Sequence, residues 1–148
     1  MILNGRTSPT DTTRYLRTLE RGGQEALMRE IDKNDLGRFS LNGSVGVPIS
    51  AVVVDQDGSQ TRIRAIFQRW LGFGELRNGY RSVDYPFGYV EIRVDPRTGQ
   101  GDGMIIPAAR IRFRNARNGG NDTVEIEDFG TFPGRLMGVR MRGGQVPQ

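Results

Sequence analysis

The spacing of apolar residues divides the chain into a helical N-terminal part and a longer part with β-strand alternation. Between about residues 9 and 35, apolar side chains recur at helical spacing, as at Leu16, Leu19, Leu27 and Ile31. This is the period of an amphipathic α-helix. The sequence therefore predicts a short helical region at the start of the chain.

The ends of this helical region carry recognisable signals. Ser8 followed by Pro9 is typical of a helix start, because serine caps free backbone N–H groups and proline fits the first helical position. The Gly22-Gly23 pair predicts either two short helices or one helix kinked at the glycines. Gly37 is predicted to close the region, because glycine accepts the left-handed conformation that ends helices.

From Leu41 onward, short apolar alternations are separated by Gly, Asn, Asp and Pro, which is typical of antiparallel strands. The Asp57-Gly58 pair has the turn chemistry of a hairpin. The predicted strands cover residues 45–54, 60–67, 89–94, 110–114, 123–127 and 137–142. We therefore expect an α+β, mainly β fold, in which the helical region precedes an antiparallel β-sandwich or a small β-barrel.

Two of these strands predict their own pairing. If residues 110–114 and 123–127 form a hairpin about Asn118-Gly119, apolar residues face each other on one side and opposite charges on the other. The predicted pairs are Phe113 with Val124, Ile111 with Ile126, Arg112 with Glu125 and Arg110 with Glu127.

A chain of 148 residues has the common size of one domain, and no repeat or long linker divides it. We expect a single domain over residues 1–148. Its predicted parts are an N-terminal arm at 1–8, a helical region at 9–36, a β domain at 41–142 and a C-terminal tail at 143–148.

Composition narrows the chemistry. The chain has no cysteine and no histidine, which excludes disulfides and argues against zinc and iron sites, so we expect no metal and no cofactor. All basic residues except Lys33 are arginine, and the net charge is +4. Guanidinium groups suit phosphate or carboxylate partners. A genome rich in G and C would produce the same arginine bias without any such partner.

The segment from residue 68 to residue 89 concentrates aromatic and arginine side chains between glycines, and it contains the chain's one tryptophan. Such side chains dominate binding hot spots, so we expect a partner-binding loop here. The alternative is that the aromatics fill one end of a β core. The candidate partner-binding residues are Arg69, Trp70, Phe73, Arg77, Tyr80, Arg81, Tyr85 and Phe87.

Two alternatives to protein binding stay open. A nucleic-acid-binding β domain would use arginines and aromatic side chains against phosphates and bases. A small carboxylate enzyme would need two acidic side chains that converge in a cleft. The candidate nucleic-acid-binding residues are Arg62, Arg64, Arg69, Arg77 and Arg81, and the candidate carboxylates are Asp84, Glu91, Asp95, Asp102 and Asp128.

Without cysteine, histidine or a catalytic motif, a non-enzymatic assembly subunit of a homo-oligomer is the first hypothesis. Its arms, its aromatic loop and its turn-rich β part are in the style of a bacteriophage particle component, such as a head–tail connector, tail or capsid-associated protein. The expected partners are other copies of the chain and neighbouring assembly proteins, with nucleic acid as the alternative.

No apolar run reaches the roughly 20 residues of a membrane-spanning helix, and Met1 to Arg6 lacks the pattern of a signal peptide. We therefore expect the protein in a virion or in the cytoplasm.

Overall fold

The computed structural model describes residues 1–41, 43–69, 73–115, 123–130 and 133–142, and at residues 73 and 74 it describes the backbone only. Trp70, the Asn118-Gly119 turn and the tail at 143–148 lie outside the described residues. The elements are β1 Ile2–Leu3, α1 Pro9–Ile31, β2 Gly37–Phe39, β3 Val47–Asp57, β4 Gln60–Gln68, α2 Phe73–Asn78, a 3-10 helix Arg81–Asp84, β5 Phe87–Val94, β6 Gln100–Arg114, β7 Thr123–Asp128 and β8 Gly134–Arg140.

Helix α1 begins at the residue that the sequence predicts, but it ends before the predicted end of the helical region. The Asp11 backbone N–H donates to Ser8 Oγ at 3.0 Å, so Ser8 is the N-cap. Gly23 has non-helical backbone angles with φ of 72°, which confirms a kink at the glycines. The prediction that Gly37 closes the helix is wrong: α1 ends at Ile31, and the Asn34 N–H bonds the Ile31 carbonyl at 3.1 Å in the turn that follows.

The strands form one antiparallel sheet in the order β1-β2-β3-β4-β5-β6-β7, with β8 also paired to β6. One edge of the long strand β6 pairs with β5. Its other edge pairs with β7 along residues 109–114 and with β8 along residues 100–105. The mainly β, α+β class is thus confirmed. The sheet is open, so a sandwich or closed barrel is not confirmed.

Both predicted hairpins are present. In β3 and β4, Asp57 pairs with Gln60, so the two residues of the turn are Gly58 and Ser59, one position after the predicted Asp57-Gly58. In β6 and β7, all four predicted residue pairs occur in the predicted register. The ion pairs of this hairpin run diagonally, from Arg112 to Glu127 at 3.5 Å and from Arg114 to Glu125.

The two faces of the sheet carry separate apolar cores. Against α1, the buried side chains are Leu19, Leu27, Ile31, Phe87, Tyr89, Ile106, Ala109 and Ile111. On the other face, the Phe39 ring of β2 stacks on Phe67 with ring centroids 4.7 Å apart. The residues of this second core are Phe39, Ile49, Val52, Ile63, Ala65, Phe67, Val90, Ile92 and Val94.

The predicted N-terminal arm is part of the sheet. Ile2 and Leu3 pair with β2, which extends the strands beyond the predicted β region. The Thr7 N–H donates to the Val52 carbonyl at 2.8 Å, and the Val52 N–H donates to Thr7 Oγ1 at 3.0 Å. These bonds attach the segment before α1 to β3.

Candidate functional site

The connection between β4 and β5 is organised around Arg69. Its guanidinium group donates to the backbone carbonyls of Tyr85 at 2.6 Å and Ser82 at 2.7 Å, and it pairs with Glu75 at 2.9 Å. The Ser82 hydroxyl donates to the same Glu75 carboxylate at 2.9 Å. The Arg69 side chain is only 14% exposed. Arg69 therefore holds the loop together from within.

The other predicted partner-binding residues separate by exposure. Arg77, Tyr80 and Arg81 are exposed, and neither arginine makes an ion pair with another described residue. Tyr85 is half-buried, and its ring lies 5.0 Å from that of Phe129. Phe87 is fully buried in the core under α1. Trp70 is not described, and neither is the Phe73 side chain, so Arg77, Tyr80 and Arg81 are the predicted partner-binding residues that the structure describes as exposed.

Two arginines proposed for nucleic acid are committed to an acid. Arg62 donates to both oxygens of Asp55 at 2.9 and 2.8 Å, and Arg64 donates to Asp55 at 2.7 Å. The hydrogen bond from Arg62 lowers the pKa of Asp55 below its ordinary value of 3.8, and attraction to the two guanidinium groups adds to the effect. The same hydrogen bond raises the pKa of Arg62. Neither arginine presents an unopposed charge.

More charged side chains extend the Asp55 cluster across the sheet. They lie on the same face of the sheet that α1 covers. Arg93 of β5 pairs with Asp57 at 3.1 Å and with Glu91 at 3.1 Å. The Tyr89 hydroxyl donates to Glu91 at 2.7 Å. Burial, and then this hydrogen bond, raise the pKa of Tyr89. These side chains form a balanced network of cations and anions at the end of the sheet.

A cavity of about 600 Å³ lies between α1 and the sheet next to this network. Arg64, Tyr89 and Glu91 form its polar part, and Arg64 Nε is buried with no hydrogen-bond partner among the described residues. Thr7, Thr12 and Thr123 also line the cavity. The apolar lining residues include Leu16, Leu19, Ala51, Val53, Ile66, Met104, Ile106 and Ile111.

The opposite face of the sheet carries a second groove, of about 810 Å³. Its floor includes the core residues Ile63, Val90 and Ile92. Exposed apolar side chains from β1 and β8 lie along it, including Ile2, which is 66% exposed, and Met137, which is 83% exposed. The second groove therefore runs between two strands that each have an unpaired edge within the described part of the chain.

Strands β7 and β8 follow each other along one edge of β6, and each pairs only with β6 among the described residues. Their outer sides form what we call the β7–β8 edge, over Thr123–Asp128 and Gly134–Arg140. The charged residues of β7 are all acidic, namely Glu125, Glu127 and Asp128. Those of β8 are both basic, Arg135 and Arg140. The two halves of the β7–β8 edge thus carry opposite charge.

No protein-family model, no curated protein and no solved structure matches the chain. What it does must therefore be inferred from its own side chains. In the described ranges, no helix has the length and apolar character needed to cross a membrane.

The candidate carboxylates of the enzyme alternative lie on several elements: Asp84 in the 3-10 helix, Glu91 on β5, Asp95 in the turn after β5, Asp102 on β6 and Asp128 on β7. Glu91 lines the cavity but is held by Tyr89 and Arg93. Asp95 closes a turn, where the Arg97 backbone N–H donates to it at 2.8 Å and lowers its pKa. Among residues with a described position, no group of three or more acidic side chains is arranged to hold a metal.

The sequence pattern predicts neither the cavity nor the β7–β8 edge. Tyr89 and Glu91 alternate with core residues on β5, so their sequence pattern predicts a strand with one polar face and nothing more. The charge contrast between 125–128 and 135–140 is visible in the sequence. Only the shared partner β6 places the two segments on the same edge.

Proposed function

We propose that the chain is a non-enzymatic assembly subunit whose copies join through the β7–β8 edge. The observation that carries the proposal is the opposite charge of two strands that extend one open edge. An open edge presents unpaired backbone N–H and C=O groups, which are a template for another strand.

The geometry of the β7–β8 edge favours a two-fold dimer. Both strands are antiparallel to β6, so they run in the same direction along it. A two-fold axis between them, perpendicular to the sheet, would set β7 of each copy antiparallel to β8 of the other. Such an interface is self-complementary and closed.

Charge selects this arrangement over others. Pairing of β8 with a second β8 would bring Arg135 and Arg140 near their own copies, which is repulsive, whereas β7 against β8 is attractive. The Arg112 and Arg114 partners of the β7 acids lie one strand further from the edge. An approaching strand would therefore meet the carboxylates first.

An apolar side chain at the β7–β8 edge adds to the case. Met137 on β8 is 83% exposed. The register between β6 and β8 shifts between Gly101 and Gly103, and Gly138 has a positive φ. This bend would confine backbone pairing to Gly134–Met137, with Arg140 contributing its charge alone.

Within a larger assembly, the exposed loop residues Arg77, Tyr80 and Arg81 are the proposed contact with neighbouring proteins. The finer proposal is a bacteriophage particle component in a virion or in the cytoplasm. It is supported by the small β-rich subunit with an open edge and by the absence of cysteine and histidine from the chain. The nucleic-acid alternative has less support, because Arg62, Arg64 and Arg69 are committed to acids or carbonyls within the chain.

Charge-reversed variants test the interface. Variant A carries Arg135→Glu and Arg140→Glu, which makes both halves of the β7–β8 edge acidic. Variant B makes β7 basic with Glu125→Lys and Glu127→Lys, and it adds Arg112→Glu and Arg114→Glu to preserve the ion pairs within the hairpin. Each variant alone should repel its own copies, but a mixture restores attraction at both contacts.

The measurement is native mass by light scattering after size exclusion. We expect A and B alone at the 16.5 kDa chain mass, and their mixture at twice that mass. Arg77→Glu with Arg81→Glu is the matched control, because it makes the same charge change as variant A on the remote loop and should leave the dimer intact. A dimer of A alone, or a mixture that stays monomeric, would refute the interface.

A further inference from the structure

We propose that the cavity beneath α1 binds a small neutral amphiphile, a molecule with an apolar body and one hydroxyl group. The cavity and the proposed interface share strand β7, but the charged residues that carry the interface, Glu125, Glu127, Arg135 and Arg140, do not line the cavity, so the two proposals are tested separately. The size of the cavity, its lining and its polar part each point to the same class of ligand.

The size and lining suit a small molecule. A volume of about 600 Å³ lies within the usual range of ligand pockets, which are mostly apolar with a few placed polar groups. Ala51, Val53, Ile66, Met104 and Ile106 provide apolar walls from three strands. Binding there would transfer the apolar part of a ligand from water to an apolar surface, which is favourable.

The charge of the polar part selects a neutral ligand. Three guanidinium groups and three carboxylates pair with one another, and of these Arg64 and Glu91 line the cavity. A ligand carboxylate would approach Glu91 without an unpaired cation, and a ligand ammonium would approach Arg64. Either charge would be desolvated without a full partner, which is costly.

The hydrogen-bonding groups select a hydroxyl. Arg64 lines the cavity and bonds Asp55 through Nη2, and its side chain is 34% exposed, so its remaining Nη hydrogens are donors available to a ligand. The Tyr89 oxygen donates its proton to Glu91 and keeps lone pairs that can accept. A hydroxyl group both accepts and donates, so it is complementary to this pair.

The lining also offers a route of entry. Leu16 of α1 is 37% exposed and Val124 of β7 is 41% exposed, and both line the cavity beside Thr12 and Thr123. Large apolar side chains that stay partly exposed at an opening are typical of binding sites. The cavity therefore has an apolar mouth that an amphiphile can enter.

Methionine methyl groups provide the readout. With [methyl-¹³C]methionine, Met104 reports on the cavity, while Met137 and Met141 report on the second groove. Titration with 1-decanol should give a saturable shift of the Met104 signal and leave Met137 and Met141 in place. Decanoate, which has the same chain with a charged end, should bind about tenfold more weakly.

Matched variants test the site. Val53→Phe fills the cavity and should abolish the Met104 shift, whereas Val45→Phe, at a position 89% exposed and outside the cavity, should retain it. Tyr89→Phe removes the hydroxyl acceptor and should weaken 1-decanol binding by about fivefold while leaving decane binding unchanged. Should Val53→Phe fail to fold by circular dichroism, Ala51→Leu fills the same space.

Three results would overturn the proposal: no shift at Met104, equal shifts at Met104 and Met137, or unchanged binding in a folded cavity-filled variant. None of them bears on the charge-reversal experiment. Failure of the ligand site and failure of the assembly interface can therefore be told apart.

Discussion

Asp55 is the residue that joins two arginines into one network. Its carboxylate accepts three hydrogen bonds, two from Arg62 and one from Arg64. Since the pKa of Asp55 is lower in the folded protein than in the unfolded chain, its stabilising effect is present above about pH 4 and lost as the pH falls through the lowered value.

Asp55→Asn should therefore reduce the free energy of unfolding at pH 7 by about 1 kcal/mol, a value kept small because a third of these side chains is exposed. This difference in the free energy of unfolding between variant and parent should become smaller as the pH falls below about 4. Urea unfolding at several pH values measures it. Asp35→Asn, at an exposed acid without an ion pair among the described residues, is the control. A deficit that is equal at pH 7 and pH 3 would contradict the assignment.

For single residues, the sequence predicts where a side chain lies better than it predicts what the side chain does. Asp57-Gly58 predicts the hairpin of β3 and β4, and the structure adds the register that sets Asp55 opposite Arg62. The same sequence suggested that Arg62 and Arg64 bind nucleic acid, because composition shows a charge without showing what opposes it.

Among the elements, the connection between β4 and β5 depends on a single guanidinium group. Lysine at position 69 would keep the charge but would lose the fork that bonds Glu75 and the carbonyls of Ser82 and Tyr85. We expect Arg69→Lys to lower the free energy of unfolding by about 2 kcal/mol. Arg77→Lys, on the exposed part of the same loop, should change it by less than about 0.5 kcal/mol.

Chemical denaturation compares the two variants, and amide hydrogen exchange locates the change. Faster exchange within residues 75–86 of Arg69→Lys is expected. Equal stability of the two lysine variants, with unchanged exchange, would mean that Arg69 does not organise the loop.

Local patterns predicted some elements well and others poorly, for physical reasons. The β6–β7 register was predictable because apolar alternation and opposite charges agree on one alignment. The first half of β6 was missed because Gly101 and Gly103 read as loop residues. In the sheet, an added Cβ at either glycine would overlap a backbone carbonyl of β5, so the close approach of two strands requires them. The pairing of β8 with β6 has no local signal at all.

For the whole molecule, the arrangement of strands creates both candidate sites. The cavity requires α1 to lie across the sheet, and the β7–β8 edge requires two separate strands to share one partner. Neither follows from composition or periodicity, since both depend on contacts between distant segments. The fold class was therefore predictable from the sequence, while the surfaces that suggest function were not.

Copies of the chain are proposed to associate through the β7–β8 edge. The most direct measurement is the native mass of the unmodified protein by light scattering over a range of concentrations. We expect a discrete species of twice 16.5 kDa that dissociates at high salt, because charged strands contribute to the contact. A mass of 16.5 kDa at every concentration tested would contradict it.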